Sequence, residues 1–208
     1  MDFVKVVEGR RSIRTFLPEP VPEADIKEII RLGMLAPSAG NRQDWRFLAI
    51  SNHELKNEIK KLVQEKSEEI AEQAGEEEPE KARDKHTSIL FADAPLAVVV
   101  LTRFFRSKTD EMLRQSGYAE AEIDYLRMRP DLQSIGGLIQ TMLLAAHNLG
   151  YGGCWMVAPN IARHEIEKLL EIRPPWSMAA LLAFGQPSKK ERGGKIVKPL
   201  EQALEIIE

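Results

Sequence analysis

The stretch SIGGLIQTMLLAAHNL, residues 134–149, carries apolar side chains on almost every side of a predicted helix. A helix on the surface of a soluble protein has an apolar stripe and a polar face, so a helix with almost no polar face is expected to be buried all round. Gly150 follows directly and suits a helix end, because glycine readily adopts the left-handed conformation found just past many helices. The sequence therefore predicts a buried helix over 134–149, either at the centre of the domain or at a subunit interface.

Four other segments favour β-strands. The unbroken apolar run Pro95–Leu101 predicts a strand that is buried on both faces and lies in the middle of a sheet. Residues 45–50 alternate imperfectly, with the odd-numbered side chains predicted to share one face. Residues 152–157 and 177–184 complete the strand candidates, with a helix predicted between them over 162–172.

Further helices and two less regular segments are predicted outside these strands. Residues 22–36 repeat apolar side chains at helical spacing before Pro37 ends the helix, and another helix is predicted to begin near His53. The densely charged stretch 64–85 predicts an exposed excursion, with an acidic binding segment as the alternative. The mixture of aromatic and charged residues over 103–133 predicts short helices that form a lid over a site.

Composition limits the classes of function. A chain of 208 residues with 43% hydrophobic residues predicts a single domain, residues 1–208. A net charge of -3 with mixed signs lacks the field of a nucleic-acid-binding protein, so a small ligand is expected. Cys154 is the sole cysteine, which excludes an internal disulfide and a multi-thiolate metal site and suits a reducing cytoplasm. No apolar run reaches about 18 residues, so we expect a cytoplasmic protein without a membrane span.

The segment Arg10-Arg11-Ser12-Ile13-Arg14 gathers three guanidinium groups and a hydroxyl within five residues. A planar guanidinium can hold two phosphate oxygens at once, and each charge-assisted hydrogen bond is worth about 1.5–3 kcal/mol. A solvated basic turn is the alternative interpretation. Together with the rest of the chain, the segment predicts a phosphate-binding site.

Two loops could contact the remainder of a nucleotide, although the common patterns GxGxxG and GxxxxGK[ST] do not occur. The loop PSAGNRQDW, residues 37–45, presents Asn41 and Gln43, whose amides both donate and accept hydrogen bonds. A turn held by its own side chains is the alternative for this loop. The stretch GYGGCWM, residues 150–156, would let the backbone approach a flat ligand because glycine has no Cβ, with a helix cap and tight turn as the alternative.

The order of these motifs resembles the FMN-dependent nitroreductase family. RRSIR near the start, PSAGNRQDW, LLAAHNLGYGGCW past the middle, LLAFGQP and a basic tail containing proline follow one another as in that family. The resemblance spans nearly the whole chain and is weakest over 64–133. It implies an α+β fold in which a mixed, mostly antiparallel central sheet is flanked by helices. It also implies an intertwined homodimer whose C-terminal tails, residues 188–208, cross onto the partner.

The resemblance further implies the residues that contact FMN at the dimer interface. The basic segment is expected to hold the phosphate and ribityl chain, with Arg14 nearest the pyrimidine side of the ring as an electrostatic stabiliser. The loop 37–39 is expected to reach over from the other protomer. The full set expected to bind FMN is Arg10, Arg11, Ser12, Arg14, Pro37, Ser38, Ala39, Asn41, Gln43, Gly153, Trp155, Met156, Val157, Lys195 and Lys198.

The chain departs from the family pattern at two places. Many members have Lys-x-Arg-x-Pro in the tail, whereas Val197 stands at the arginine position here, after Lys195. We expect Lys198 to compensate for the missing arginine. Asp44 stands where the family's strand-leading motif has proline. There we expect a change in loop stiffness and little else.

The resemblance implies an oxidoreductase in which FMN carries the chemistry, so no acid–base pair of side chains is needed. NAD(P)H is the expected reductant and a nitroaromatic or quinone the expected acceptor, in ping-pong order because both would use the same face of the ring. His86 and His147 are expected to be structural or solvated. One alternative is another reductive reaction on the same scaffold, such as dehalogenation, enoate reduction, or flavin reduction and destruction. The other is a flavin store or sensor without turnover.

Overall fold

The protein has an α+β fold with a central antiparallel sheet, as expected. The computed structural model describes residues 2–82, 86–188 and 197–207. In these residues the sheet has the strand order β1-β2-β4-β3, with every neighbouring pair antiparallel. The predicted strands are confirmed at β1 Trp45–Ile50, β2 Leu96–Arg103, β3 Gly152–Met156 and β4 Trp176–Gly185.

Helices cover both faces of the sheet. Their bounds are α1 Phe3–Gly9, α2 Glu23–Gly33, α3 His53–Gln73, α4 His86–Ile89, α5 Lys108–Gln115, α6 Glu120–Arg127, α7 Pro130–Asn148 and α8 Arg163–Leu169. The helix predicted over 22–36 begins with Pro22 as its N-cap and ends three residues early at Gly33. The helix predicted over 162–172 is shorter, because a 3-10 turn over 158–162 precedes it.

Two apolar cores lie on opposite faces of the sheet, one under α3 and α8 and the other under α2 and α7. Leu181 packs into the first core and its neighbour Leu182 into the second, because successive side chains of a strand point to opposite faces. Both central strands therefore carry long apolar runs, residues 96–101 of β2 and 178–184 of β4, and every residue of β2 before Arg103 is buried. This position explains why Pro95–Leu101 showed no alternation.

The apolar helix α7 begins four residues earlier than predicted, with Pro130 in its first turn. Its buried face packs against α2 and β3. The expectation that it is buried all round is wrong in this single chain. Gly137 and Gln140 are exposed, and the side chains one turn away, Thr141 and Leu144, are half-buried. The helix therefore lies in the domain core on one side and leaves an open stripe on the other, formed by Gly137, Gln140, Thr141 and Leu144.

The edge strand β1 contributes to both cores rather than to one. Trp45 and Phe47 pack under α2 and α7, as their shared face predicted, whereas Leu48 and Ile50 pack under α3. Ala49 is exposed and does not join the other odd-numbered residues. The alternation was therefore imperfect because both faces of this strand are covered.

The less regular segments differ in part from expectation. Helix α3 continues to Gln73, so the first half of the charged stretch 64–85 is helical, and Ala71 in it is buried. Residues 108–127 form the short helices α5 and α6 where a lid was predicted.

The tail residues 197–207 are exposed, including Leu200 and Ile207. Among the described helices, none combines the length and the apolar character needed to cross a bilayer.

Candidate functional site

The basic segment is held against the sheet by backbone contacts. It follows α1 directly, and the N–H of Arg10 donates to the carbonyl of Val6 (3.0 Å). Ser12 forms a parallel bridge with Gly153 of β3, and the Ile13 N–H donates to the Gly153 carbonyl (3.0 Å). The side chain of Ile13 is buried. The segment is thereby fixed beside β3.

The guanidinium groups of this segment have no carboxylate partner within the described residues. Arg11 Nη1 donates to the carbonyls of Glu8 (2.5 Å) and Arg10 (2.9 Å), so it caps the C-terminal end of α1. Arg14 is exposed, and its Nη1 donates to the Ser12 carbonyl (3.3 Å). Three arginines within five residues therefore form no ion pair with an acidic group in the described part of the chain, an arrangement suited to an anionic ligand.

His147 lies next to the basic segment. A Cβ at Gly9 would lie 2.8 Å from His147 Nε2, so the imidazole sits directly against the end of α1. Burial lowers the pKa of His147 below its ordinary value, and the charges of Arg10 and Arg11 lower it further. The apolar helix around His147 predicts a structural or solvated side chain. The contact with Gly9 could not be predicted, because it joins segments that are far apart in the chain.

The loop 37–45 is held by its own side chains and by α7. Ser38 Oγ accepts from the Gln43 N–H (3.0 Å), and the Ala39 N–H donates to Ser134 Oγ (3.0 Å). Gln43 Nε2 donates to Asn41 Oδ1 (3.2 Å), and both residues have positive φ angles, 53° and 51°. Positive φ is sparsely populated by residues other than glycine, so the loop is locally strained. Both amide side chains are exposed.

Asp44 does more than the expected change in loop stiffness, and that expectation is corrected here. Its Oδ2 accepts from Arg42 Nε (2.9 Å), and its Oδ1 accepts from Arg103 Nε (2.5 Å). Its backbone carbonyl accepts from the hydroxyl of Thr102 (3.0 Å). A proline keeps the backbone carbonyl but has no side chain that could make the two bonds of the carboxylate. Asp44 therefore joins the loop to the end of β2.

The glycines of β3 are required by protein packing. A Cβ at Gly152 would lie 2.5 Å from Ile13 Cγ1, and one at Gly153 would lie 2.7 Å from Leu143 Cδ2 and 2.8 Å from Phe184 Cε1. Such distances leave no room for a methyl group. The sequence interpretation assigned these glycines to close ligand approach, whereas the Cβ positions that they leave empty face the core.

The remaining residues of β3 and Val157, which follows it, divide between solvent and core. Trp155 and Val157 are 41% and 60% exposed, and their side chains are available to a ligand. Met156 is buried in the core under α3, so only its backbone could contact a ligand. Burial raises the pKa of the Cys154 thiol, although nearby Arg14 opposes the shift, and the neutral thiol is a poor nucleophile.

The predicted binding residues fall into two groups in one chain. The basic segment lies at the C-terminal end of α7, where His147 meets Gly9, and the loop 37–43 lies at its N-terminal end, where Ser134 meets Ala39. Thirteen residues of helix separate the two contacts, a distance of about 20 Å at 1.5 Å per residue.

Lys198 is exposed, and Lys195 lies outside the described residues. No group of side chains suited to a metal ion occurs in the described part of the chain.

Comparison with known proteins identifies the family. The sequence pattern of the Nitroreductase family matches residues 7–186. The chain therefore belongs to the nitroreductase family, a class of flavin oxidoreductases.

Three relatives cover the length of the chain. A 5,6-dimethylbenzimidazole synthase from Rhodobacter capsulatus is 28% identical over 186 residues, which cover 88% of this chain and 82% of that protein. A BluB-like flavoprotein from Clostridium difficile superposes with a TM-score of 0.89 at 29% identity over 100% of both chains. A nitroreductase with bound FMN from Desulfitobacterium hafniense superposes with a TM-score of 0.72 at 23% identity, over 100% of this chain and 99% of that one. Two further curated relatives align over only 22% and 30% of their own length.

Proposed function

We propose that this protein is an FMN-dependent oxidoreductase that acts as a homodimer with NAD(P)H as the reductant. The observation that carries the proposal is the cluster of three guanidinium groups beside β3, which has no acidic partner among the described residues. A phosphate monoester carries about -1.5 to -2 charges at pH 7 and three strong acceptor oxygens, so it would neutralise most of this cluster. The similarity to a flavoprotein over the full chain supports FMN as the phosphorylated ligand.

The described residues suit the remaining parts of a flavin as well. Trp155 and Val157 expose apolar surface next to the basic segment, as a flat aromatic ring requires. Asn41 and Gln43 carry exposed amides that can match the donors and acceptors on a ring edge. When bound, FMN supplies the electron carrier that takes a hydride from NAD(P)H and then gives it to a small acceptor, such as a nitroaromatic or a quinone.

A dimer would bring the two groups of binding residues together. In one chain they lie about 20 Å apart at opposite ends of α7. A two-fold related partner with an antiparallel α7 would place its loop 37–43 beside the basic segment of the first chain. The open stripe of α7 and the exposed apolar residues of α1, Phe3, Val4 and Val7, provide surface for that contact. The exposed apolar tail, residues 197–207, would dock on the partner in the same assembly.

The protein's own groups would position the ring and stabilise charge. Arg14 is exposed, and its guanidinium donates a hydrogen bond to the Ser12 carbonyl. In this position the guanidinium could stabilise negative charge that develops on the reduced ring. His147 is kept neutral by burial and by Arg10 and Arg11, which leaves those two arginines as the cations for the phosphate. Cys154 remains a protonated thiol because it is buried.

A second candidate function is conversion of the flavin itself. A 5,6-dimethylbenzimidazole synthase matches 88% of this chain, and a BluB-like flavoprotein matches 100% of it. The dimethylbenzene part of 5,6-dimethylbenzimidazole is also present in the flavin ring, which makes a flavin a chemically reasonable source of that product. In this case the flavin would be a substrate and its turnover would destroy it.

One experiment distinguishes the candidates. The FMN-loaded protein is mixed with NADH or NADPH without oxygen, and loss of the yellow colour reports reduction. Addition of menadione or nitrofurazone should then restore the colour, with stoichiometric loss of the acceptor. In a parallel sample, air is admitted in place of the acceptor and the products are separated by chromatography. The release of 5,6-dimethylbenzimidazole with permanent loss of colour favours the second candidate, and a flavin that neither nucleotide bleaches contradicts the NAD(P)H-dependent enzyme.

A further inference from the structure

One carboxylate, that of Asp44, is shared by two arginines at the junction between the loop 37–45 and the rest of the domain. Each of its oxygens accepts one bond, from Arg42 Nε at 2.9 Å and from Arg103 Nε at 2.5 Å. The Asp44 side chain is only 10% exposed. A carboxylate that is nearly buried and bonded through both oxygens has a fixed position, unlike a typical surface ion pair.

Both arginines also belong to or contact the segment 103–107, which leads from the end of β2 into the expected lid. Arg42 Nη1 donates to the carbonyl of Arg106 (2.8 Å), and its guanidinium carbon lies 5.4 Å from the ring centroid of Phe105. Arg103 is itself the first residue of the segment, and its guanidinium carbon lies 5.7 Å from a ring of Trp176. A continuous set of polar contacts therefore runs from the loop through Asp44 to the start of the lid.

The negative charge of Asp44 holds the two positively charged arginines of this set together. Within the described chain, neither Arg42 nor Arg103 forms an ion pair with another carboxylate. Without the negative charge, two guanidinium groups would lie side by side and repel one another. Arg42 would then turn away from the Arg106 carbonyl, and the exposed residues Phe104 and Arg106 would lose their link to the loop.

We propose that Asp44 is a positioning residue that couples the loop 37–43 to the first residues of the lid and thereby sets the access of the electron acceptor to the flavin. This inference rests on the proposed flavin site and deepens it, because Asn41 and Gln43 stand on the same loop. The proline that the family pattern has at this position could not form the link, so the coupling is a property of this chain.

The test compares three variants as the flavin-loaded protein. Asp44→Asn keeps the shape of the side chain and removes its charge, Asp44→Glu keeps the charge, and Glu28→Gln removes a carboxylate that forms two bonds with Arg31 on α2. The measurements are trypsin cleavage after Arg103, Arg106 and Lys108, flavin content, and kcat/KM for the acceptor. We expect Asp44→Asn to speed the cleavage and to lower kcat/KM about fivefold at unchanged flavin content.

The other variants complete the expected pattern. Asp44→Glu should recover part of the loss, and Glu28→Gln should match the parent in all three measurements. Asp44→Asn with parental cleavage and kinetics, even if its Tm were lower, would overturn the coupling and leave a role in stability only. If the parent chain bound no flavin, the proposed function would fail, but the cleavage comparison would still decide: unchanged cleavage in Asp44→Asn refutes the coupling, and faster cleavage supports it.

Discussion

At the scale of single residues, the arginines differ in whether a carboxylate lies beside them. Arg31 and Arg129 each donate two bonds to an acidic side chain, and Arg103 shares Asp44. Arg10 and Arg14 have no such partner in the described part of the chain. An unpaired guanidinium can bind an anionic ligand without first breaking an ion pair, so these arginines are the better candidates for phosphate binding.

Arg10→Ala is expected to weaken FMN binding by about 1.5–3 kcal/mol, the value of a charge-assisted hydrogen bond. Folding should change little, because the hydrogen bonds of Arg10 in the structure are made by its backbone. Fluorescence titration with FMN and urea denaturation measure the two effects. Arg31→Ala is the control, since that side chain is exposed and pairs with Glu28 within α2. Equal flavin occupancy of Arg10→Ala and the parent after dialysis would show that Arg10 has no such role.

The lowered pKa of His147 predicts a pH effect on stability. Below its ordinary pKa of 6.5, the unfolded chain takes up a proton that the folded chain still resists. The stabilising contribution is therefore complete above pH 6.5 and is lost as the pH falls toward the folded-state pKa. His147→Gln should remove this component. The free energy of unfolding of the variant should therefore rise relative to that of the parent as the pH falls from about 7.5 to 5.5. Parallel pH profiles of the two proteins would contradict the assignment.

At the scale of elements, the strands and the two long core helices α2 and α7 could be predicted within a few residues, because apolar periodicity decides them. The open stripe of α7 could not be predicted, because the burial of a helix face depends on neighbouring elements that the local sequence does not determine. The basic segment was recognisable from its composition alone. The Asp44 pairs and the His147 contact were not, because they join residues that are distant in the chain.

Gly153→Ala tests the packing between β3 and the core. The added methyl group would lie within 2.8 Å of Leu143 and Phe184, and overpacking of this kind costs about 1–3 kcal/mol. Chemical denaturation measures the loss. A Gly153→Ala protein as stable as the parent would refute the packing argument for this glycine.

At the scale of the whole molecule, the single chain exposes large apolar side chains on several of its elements. Phe3 of α1, Leu35 after α2 and Ile207 in the tail are each more than 70% exposed. Exposed apolar groups in one region commonly mark an interface. The open stripe of α7 adds surface next to α1. The proposed second copy of the chain would cover these surfaces.

Removal of all residues after Pro187 is expected to give a monomeric or unstable protein, because the apolar side chains of the tail would then be missing from the partner's surface. Sedimentation velocity and flavin content measure the outcome. A variant with Leu204 and Ile207 both changed to Ser serves as the milder comparison, and it should shift the dimer toward monomer at low concentration. A truncated protein that sediments as a flavin-loaded dimer would rule out the proposed docking of the tail.

The central claim is that the uncompensated arginines of residues 10–14 bind the phosphate of FMN. The most direct test is parallel titration of the flavin-free protein with FMN and with riboflavin, which has the same ring and no phosphate. The account predicts a yellow complex with one FMN per protomer and binding of riboflavin at least about tenfold weaker, since its charge-assisted bonds are missing. A protein that stays colourless with FMN, or that binds both compounds equally well, would contradict it.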